Sequence, residues 1–394
     1  MKKFIALLMV MVLAGALIAC AGNDDTTTTD TVVEADTDDD AGADDAQADD
    51  TDAVVEQDDS GDWDGIPIAL VTDYGTIDDG SFNQGSWEGV VAYAEENGIP
   101  HQYIQPAEKT DAGYLDAIVL AIEGGAQIVV TPGFLFEVSV GEAQSMFPDV
   151  KFVLIDGRPD IGEDAPYIAD NTVAVLYAEE ESGFLAGYAA VMEGHTSLGF
   201  IGGIAVPAVV RFGTGFVEGA EYAAAELGLA EGEITINYAY AGTFGPSPEV
   251  QTMAASWYNE GVEVIFAAAG GAGFSVFAAA EAAGALAIGV DIDQAGASDT
   301  IITSALKGLE ASVYSILSDF FAGNFPGGTE KIFDASLNGV GLPMETSRFE
   351  NFTQAQYDDI FQRLANGEVE VSTEVGPEAH LNLNLSIVEV VNIG

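Results

Sequence analysis

The sequence predicts an α/β fold built of two doubly wound parallel-sheet lobes. Three observations carry that expectation. Short apolar runs recur from residue 66 onward, as strands buried on both faces of a parallel sheet do. Amphipathic stretches of helical length separate them. The units also outnumber what one open sheet usually holds.

The apolar runs are 66–71, 127–131, 152–155, 198–201, 264–268 and 287–290. The helical stretches are 83–96, 111–123, 179–192, 213–227, 249–259 and 273–283. In 179–192, Phe184, Leu185, Tyr188, Ala189 and Met192 fall on one face. Alternation of this kind closes parallel sheets through helical crossovers. Ligands of such sheets bind beyond the carboxyl ends of the strands, so the residues that follow each run are the candidates.

The N-terminus follows other rules. Lys2 and Lys3 precede an apolar stretch, 4–19, that has the length of a signal h-region and is too short for a typical span. Leu17-Ile18-Ala19-Cys20 resembles a bacterial lipoprotein processing site, which implies a signal peptide over 1–19 and a lipid on the Cys20 thiol. Cys20 is the sole cysteine, which excludes a disulfide within the chain. From 21 to 64 the chain is rich in Asp, Thr and Ala and has no Lys or Arg. Such a tract buries too little apolar surface to order itself and reads, with Cys20, as a tether over 20–64.

Acids dominate: 65 Asp and Glu face 10 Lys and Arg, a net charge of −55. Residues 1–64 hold 18 of the acids and two lysines, so the remaining 330 residues carry 47 acids and eight bases. Nucleic acid is excluded as a partner, because phosphate binding needs clustered bases. Concentrated salt or an acidic medium would relieve the self-repulsion, and the sequence leaves both open.

The polar and aromatic groups at the strand ends are specific. Thr72 to Gly89 contains Asp73, Phe82 and Asn83; Asp156-Gly157 follows the run 152–155; Arg211-Phe212 follows Gly199–Gly203. Gly270-Gly271-Ala272-Gly273 follows 264–268, Asp291-Ile292-Asp293-Gln294 follows 287–290, and Lys307-Gly308 follows a further strand-like run. In that order, the stretch from Asp73 to Gly89 and these phrases resemble the basic membrane protein family, the purine-nucleoside-receptor type of solute-binding lipoprotein. The likeness extends over roughly residues 66–343.

The resemblance implies a type I periplasmic-binding-protein fold, with three hinge crossings and the ligand clamped between the lobes. The lobes are expected over 66–173 plus 292–328 and over 174–291 plus 329–394. It further implies ABC permease and ATPase subunits as partners and a nucleoside as ligand, with no cofactor. The residues fit that ligand: Phe82 and Phe212 would sandwich a flat base, and Asp73 with Asn83 would meet its edge. Asp291 would accept ribose hydroxyls and Lys307 would donate to the sugar. By the resemblance, Asp156 and Gly270 also face the cleft. Each has a plainer alternative, since an Asp ending a strand often caps a turn and a Phe often belongs to the core. Trp87 reads as packing behind the signature loop.

Other chemistry fails on inspection. Asp291-Ile292-Asp293 opens like a calcium loop but continues with Ala295 and Ile302 where ligands are needed. Gly271-Ala272-Gly273 lacks the third glycine of a dinucleotide fingerprint, and His101, His195 and His380 have no metal-ligand spacing. The expectation is a binding protein; the alternatives are a receptor for a sugar or modified purine, and a nucleoside hydrolase.

The anchor is directly testable. Produced in bacteria, the wild-type chain should partition with membrane into detergent, and Cys20→Ser should be released or stall in processing. Equal partitioning of the two would refute lipidation at Cys20.

Overall fold

A computed structural model describes residues 65–393, except 74 and 163–165. The expected signal segment, Cys20 and the acidic tether lie outside the described residues. Two sheets organise the rest. The first contains β1 (Ile68–Val71), β2 (His101–Ile104), β3 (Ile128–Pro132), β4 (Lys151–Ile155), β5 (Thr172–Tyr177) and β11 (Thr329–Phe333), in the order β11-β5-β4-β3-β1-β2. All its pairings are parallel, with Ile68 opposite His101 on one side and Ile128 on the other. The second contains β6 (Ser197–Gly202), β7 (Ile234–Tyr240), β8 (Val264–Ala268), β9 (Leu286–Asp291), β10 (Ile301–Lys307), β12 (Val340–Gly341) and β13 (Val388–Asn392). Its order is β12-β10-β9-β8-β6-β7-β13, and only the short β12 runs antiparallel.

Chain order reverses beside β1 in the first sheet and beside β6 in the second. Those are the switch points of doubly wound sheets, where loops diverge and leave a crevice. The central strands β1, β3 and β8 are buried along their whole length, which is why they read as apolar runs; β5 is buried as fully but was not among the runs read from the sequence.

The helices are α1 (Phe82–Glu96), α2 (Asp111–Glu123), α3 (Glu137–Met146), α4 (Glu179–Glu193), α5 (Pro207–Leu227), α6 (Pro248–Asn259), α7 (Gly273–Ala283), α8 (Leu309–Phe321) and α9 (Gln354–Ala365). α5 begins six residues before the expected 213, at a proline in the first helical turn, where the missing N–H costs nothing. Arg211 and Phe212 therefore lie on the helix itself rather than on the loop before it.

The chain passes between the lobes after β5, after β10 and after β11, in agreement with three crossings. The expected boundaries need correction. Thr172–Tyr177 belongs wholly to the first sheet, so the first crossing follows Tyr177 rather than residue 173. Residues 301–307, expected in the first lobe, pair with β9 in the second sheet. Residues 329–333, expected in the second lobe, pair with β5 in the first. Apolar pattern identifies a strand but not the partner it pairs with.

α4 and α5 meet backbone to backbone. A Cβ on Gly183 or Gly187 would strike the carbonyls of Phe212 or Phe216, and one on Gly215 or Gly219 would strike those of Glu180 or Phe184. Two Gly-x3-Gly pairs thus interlock and hold the start of α4 against the start of α5. Gly219→Ala and Gly187→Ala should each lower the unfolding midpoint by several degrees. Overpacking costs about 1–3 kcal/mol, although alanine is the better helix former by roughly 1 kcal/mol. Gly296→Ala, where a Cβ meets nothing within 4 Å, is the control. A midpoint in Gly219→Ala equal to or above wild type would mean that the seam is looser than described.

Candidate functional site

Between the lobes, at the carboxyl ends of both sets of strands, lies a cavity of about 550 Å³. Asp73, Phe82, Asn83 and Asp156 line it from the first lobe, and Phe212, Gly270, Asp291 and Lys307 from the second. All eight residues offered for ligand contact from the sequence thus line one space.

The loop after β1 is set by carboxylates that accept from backbone. Asp79 takes the N–H groups of Ser81, Asn83 and Gln84 at 2.9, 3.0 and 3.0 Å and so caps α1. Its other partner is Asn83 Nδ2 at 2.9 Å, which also donates to Asp73 Oδ1 at 3.0 Å. Gly75 N–H gives Asp73 Oδ1 a second bond at 2.6 Å. Burial pushes the Asp73 carboxyl up, against the pull of these two donors.

A buried ion cluster closes the floor. The Lys307 ammonium, at the end of β10, pairs with Asp156 at the end of β4 and lies 3.2 Å from Glu179 in the first turn of α4. Arg211 on α5 donates from Nε to the other oxygen of Glu179 at 2.6 Å and lies 3.4 Å from Glu180. The Glu179 side chain is completely buried. Burial alone would raise its pKa, but Lys307 and Arg211 outweigh burial and hold it below the usual value. Lys307 stays protonated: burial works against it, and Asp156, Glu179 and Asp291 more than offset that. The surplus of acid appears elsewhere. Burial pushes Asp156 up to about 7, and it does the same to Glu180. Among the described residues, Asp156 Oδ1 is buried without a hydrogen-bond partner.

Asp156 and Asp291 both stand at positive φ, 56° and 67°. Aspartate tolerates this conformation better than most residues, and here it turns each chain sharply where it leaves its strand. Asp291 Oδ2 accepts from Ser81 Oγ at 2.5 Å, across the cleft. Gln294 makes a second crossing bond, from Nε2 to Gly80 O at 2.7 Å. Gly80, at φ 64°, lies directly under the Phe274 ring of the opposite lobe; a Cβ there would be 2.6 Å from Cζ. The lobes are in contact along this rim.

The aromatic pair is placed asymmetrically. Phe82, the first residue of α1, and Phe212 on α5 come from opposite lobes, with ring centres 4.8 and 5.7 Å from the Lys307 ammonium. Phe212 is only 2% exposed and packs edge-on against Phe266 at 5.8 Å, so it belongs to the second lobe's core as well as to the cavity wall. Sequence reasoning passed over Phe134, Phe244 and Phe274 on the wall, and Glu179 beneath it. Glu179 opens the triplet Glu179-Glu180-Glu181, which reads as an ordinary acidic first turn. Its signal was the scarcity of bases: Arg211 and Lys307 are two of only eight after residue 64.

Residues 66–374 match the family described as ABC transporter substrate-binding protein PnrA-like, and the chain belongs to that family. Basic membrane protein A2 of Borrelia garinii subsp. bavariensis is 30% identical over 311 residues, covering 77% of this chain and 88% of that protein. The CD4+ T-cell-stimulating antigen of Listeria monocytogenes is 28% identical over 327 residues, 77% of this chain and 87% of its own. The ABC transporter nucleoside-binding protein BmpA of Lactococcus lactis subsp. cremoris is 29% identical over 308 residues, 72% and 83% of the two chains. Among solved structures, an ABC transporter solute-binding protein from Aeropyrum pernix superposes with a TM-score of 0.68 at 22% identity, covering 80% of this chain and 96% of that one. One from Conexibacter woesei gives 0.63 at 23%, covering 78% and 99%. These structures share the fold. The chain is thus an extracytoplasmic substrate-binding protein of an ABC transporter and not an enzyme, which removes the hydrolase alternative.

The raised acids make stability depend on pH. A carboxyl with a folded pKa of about 7 holds a proton that the unfolded chain has lost above about 4.5. Stability therefore falls as pH rises through that window and levels off above it. In urea unfolding at 1 M salt, where diffuse repulsion is screened, Glu180→Gln should make this slope shallower by up to one proton. An unchanged slope would show that Glu180 is ionised alike in both states.

Proposed function

We propose that the cleft captures a nucleoside, purine nucleosides first, and that a lipid on Cys20 holds the protein at the membrane beside its permease and ATPase. One observation carries the ligand reading. Two phenylalanines from opposite lobes flank a floor on which a buried carboxylate, Asp156, keeps one oxygen without a partner. A flat base between Phe82 and Phe212 gains about 1–3 kcal/mol per stacked face and draws the lobes together. Asp73, in the loop after β1, and Asn83, in the first turn of α1, stand at the base edge. At the other end, Asp291 and the open Asp156 oxygen accept ribose hydroxyls. The Lys307 ammonium donates to Asp156 and stands 3.2 Å from Glu179, and an N–H of the same ammonium would donate to the sugar. Gly270 brings backbone close to the same space without a side chain. The relative named a nucleoside-binding protein supports the reading from outside the structure.

Calorimetric titration tests it. A 2′-deoxynucleoside should bind at least about tenfold more weakly than its ribose form, because a carboxylate built for that hydroxyl is left partly unpaired. Asp291→Asn should narrow the difference. Phe82→Ala should weaken nucleoside binding by about 5- to 150-fold, the equivalent of one lost stacking face. Failure of every nucleoside to bind would overturn the ligand; equal affinity for ribose and deoxyribose forms would remove Asp291 from the sugar site.

A further inference from the structure

The cavity wall has an electrostatic bias that a neutral nucleoside does not use. Five aspartates line it, Asp73, Asp78, Asp79, Asp156 and Asp291, against Lys109 and Lys307. Lys307 is consumed by Asp156 and Glu179, and the Arg211 charge behind it by Glu179 and Glu180. Lys109 is exposed, so water and salt weaken its charge, which still pulls the Asp73 pKa down against burial. Asp79 is satisfied by the first turn of α1. Asp73 is different: its two bonds both fall on Oδ1, and it stands at the end of the cavity assigned to the base edge.

Building on the nucleoside reading, we propose that this cleft selects nucleosides whose base edge is positively charged, such as ring-methylated purines, over neutral isomers of the same size. A cationic edge would meet Asp73 in a charge-assisted hydrogen bond, roughly twice as strong as a neutral one. It would also relieve the cost of ionising a buried carboxyl, the cost that burial already shows at Asp73.

Isomeric ligands separate charge from shape. At pH 7, 1-methyladenosine is a cation and N6-methyladenosine is neutral, the two being methyl isomers that differ otherwise by one proton. At pH 6, 7-methylguanosine is a cation and 1-methylguanosine is neutral, with the methyl group in a different place. Calorimetry on the wild-type protein in 0.1 M salt should show the cation bound at least about tenfold more tightly in both pairs. The ratio should shrink in 1 M salt. Asp73→Asn should bring it within about threefold, whatever the variant does to absolute affinity; if that variant does not fold, the salt dependence decides. Equal or reversed affinity in either pair overturns the charge preference, because a preference in one pair alone is a steric effect. If adenosine and guanosine still bind in that case, the nucleoside reading stands and only this inference falls. If none of the six nucleosides binds, both fall.

Discussion

The cleft depends on one buried ammonium. Lys307 ends the last strand before the chain crosses into α8; Asp156 ends β4 in the opposite sheet; Glu179 begins α4 just after the chain has crossed from β5. A single cation thus joins three chain segments at the place where the lobes are tethered. Neither carboxylate could be left alone there: removing one partner from such a pair costs about 3–5 kcal/mol, because the other charge stays buried. Arg211 completes the set by holding the second oxygen of Glu179. The glycine seam between α4 and α5 makes this possible, since it brings the backbone that carries Glu179 against the backbone that carries Arg211.

This use of bases is sparing. The other salt bridges, such as Arg158 with Glu330 or Arg363 with Glu226, are partly exposed and contribute little each. In a chain with 47 acids and eight bases after residue 64, two bases are spent on one buried glutamate. Elsewhere, carboxylates are stabilised by backbone donors. Glu193 accepts from the N–H groups of residues 350–352, and Glu221 from those of 386–388. An acidic protein can in this way turn its surplus charge into loop anchors without cations.

The candidate site was more legible than the fold around it. Asp73, Asp156 and Asp291 follow apolar runs within two residues and Lys307 follows a strand-like one, and the rule that parallel sheets bind at their carboxyl ends singled out all four. Phe212 was found for the right location but the wrong local structure, because Pro207 starts α5 earlier than the apolar periodicity does. The edge strands β2, β11 and β13 were missed. Sequences such as His101-Gln102-Tyr103-Ile104 and Thr329-Glu330-Lys331-Ile332-Phe333 are half exposed and carry no apolar run. The exchange of 301–307 and 329–333 between lobes was beyond local pattern altogether. Sheet membership is decided by pairing over long separations, and Glu179 became visible only when three distant segments met.

Gly80 has a wider consequence. It does not line the cavity, yet the Phe274 ring rests on it where the lobes meet, and Gln294 holds its carbonyl from the same side. A side chain at position 80 would press on the Phe274 ring at that rim while leaving Asp73, Asp156, Asp291 and Lys307 in place. Observed affinity is the intrinsic affinity of the closed form scaled by how often that form is populated. Position 80 is therefore a dial on a pre-equilibrium: variation there can retune the concentration range over which the receptor fills without altering what it recognises.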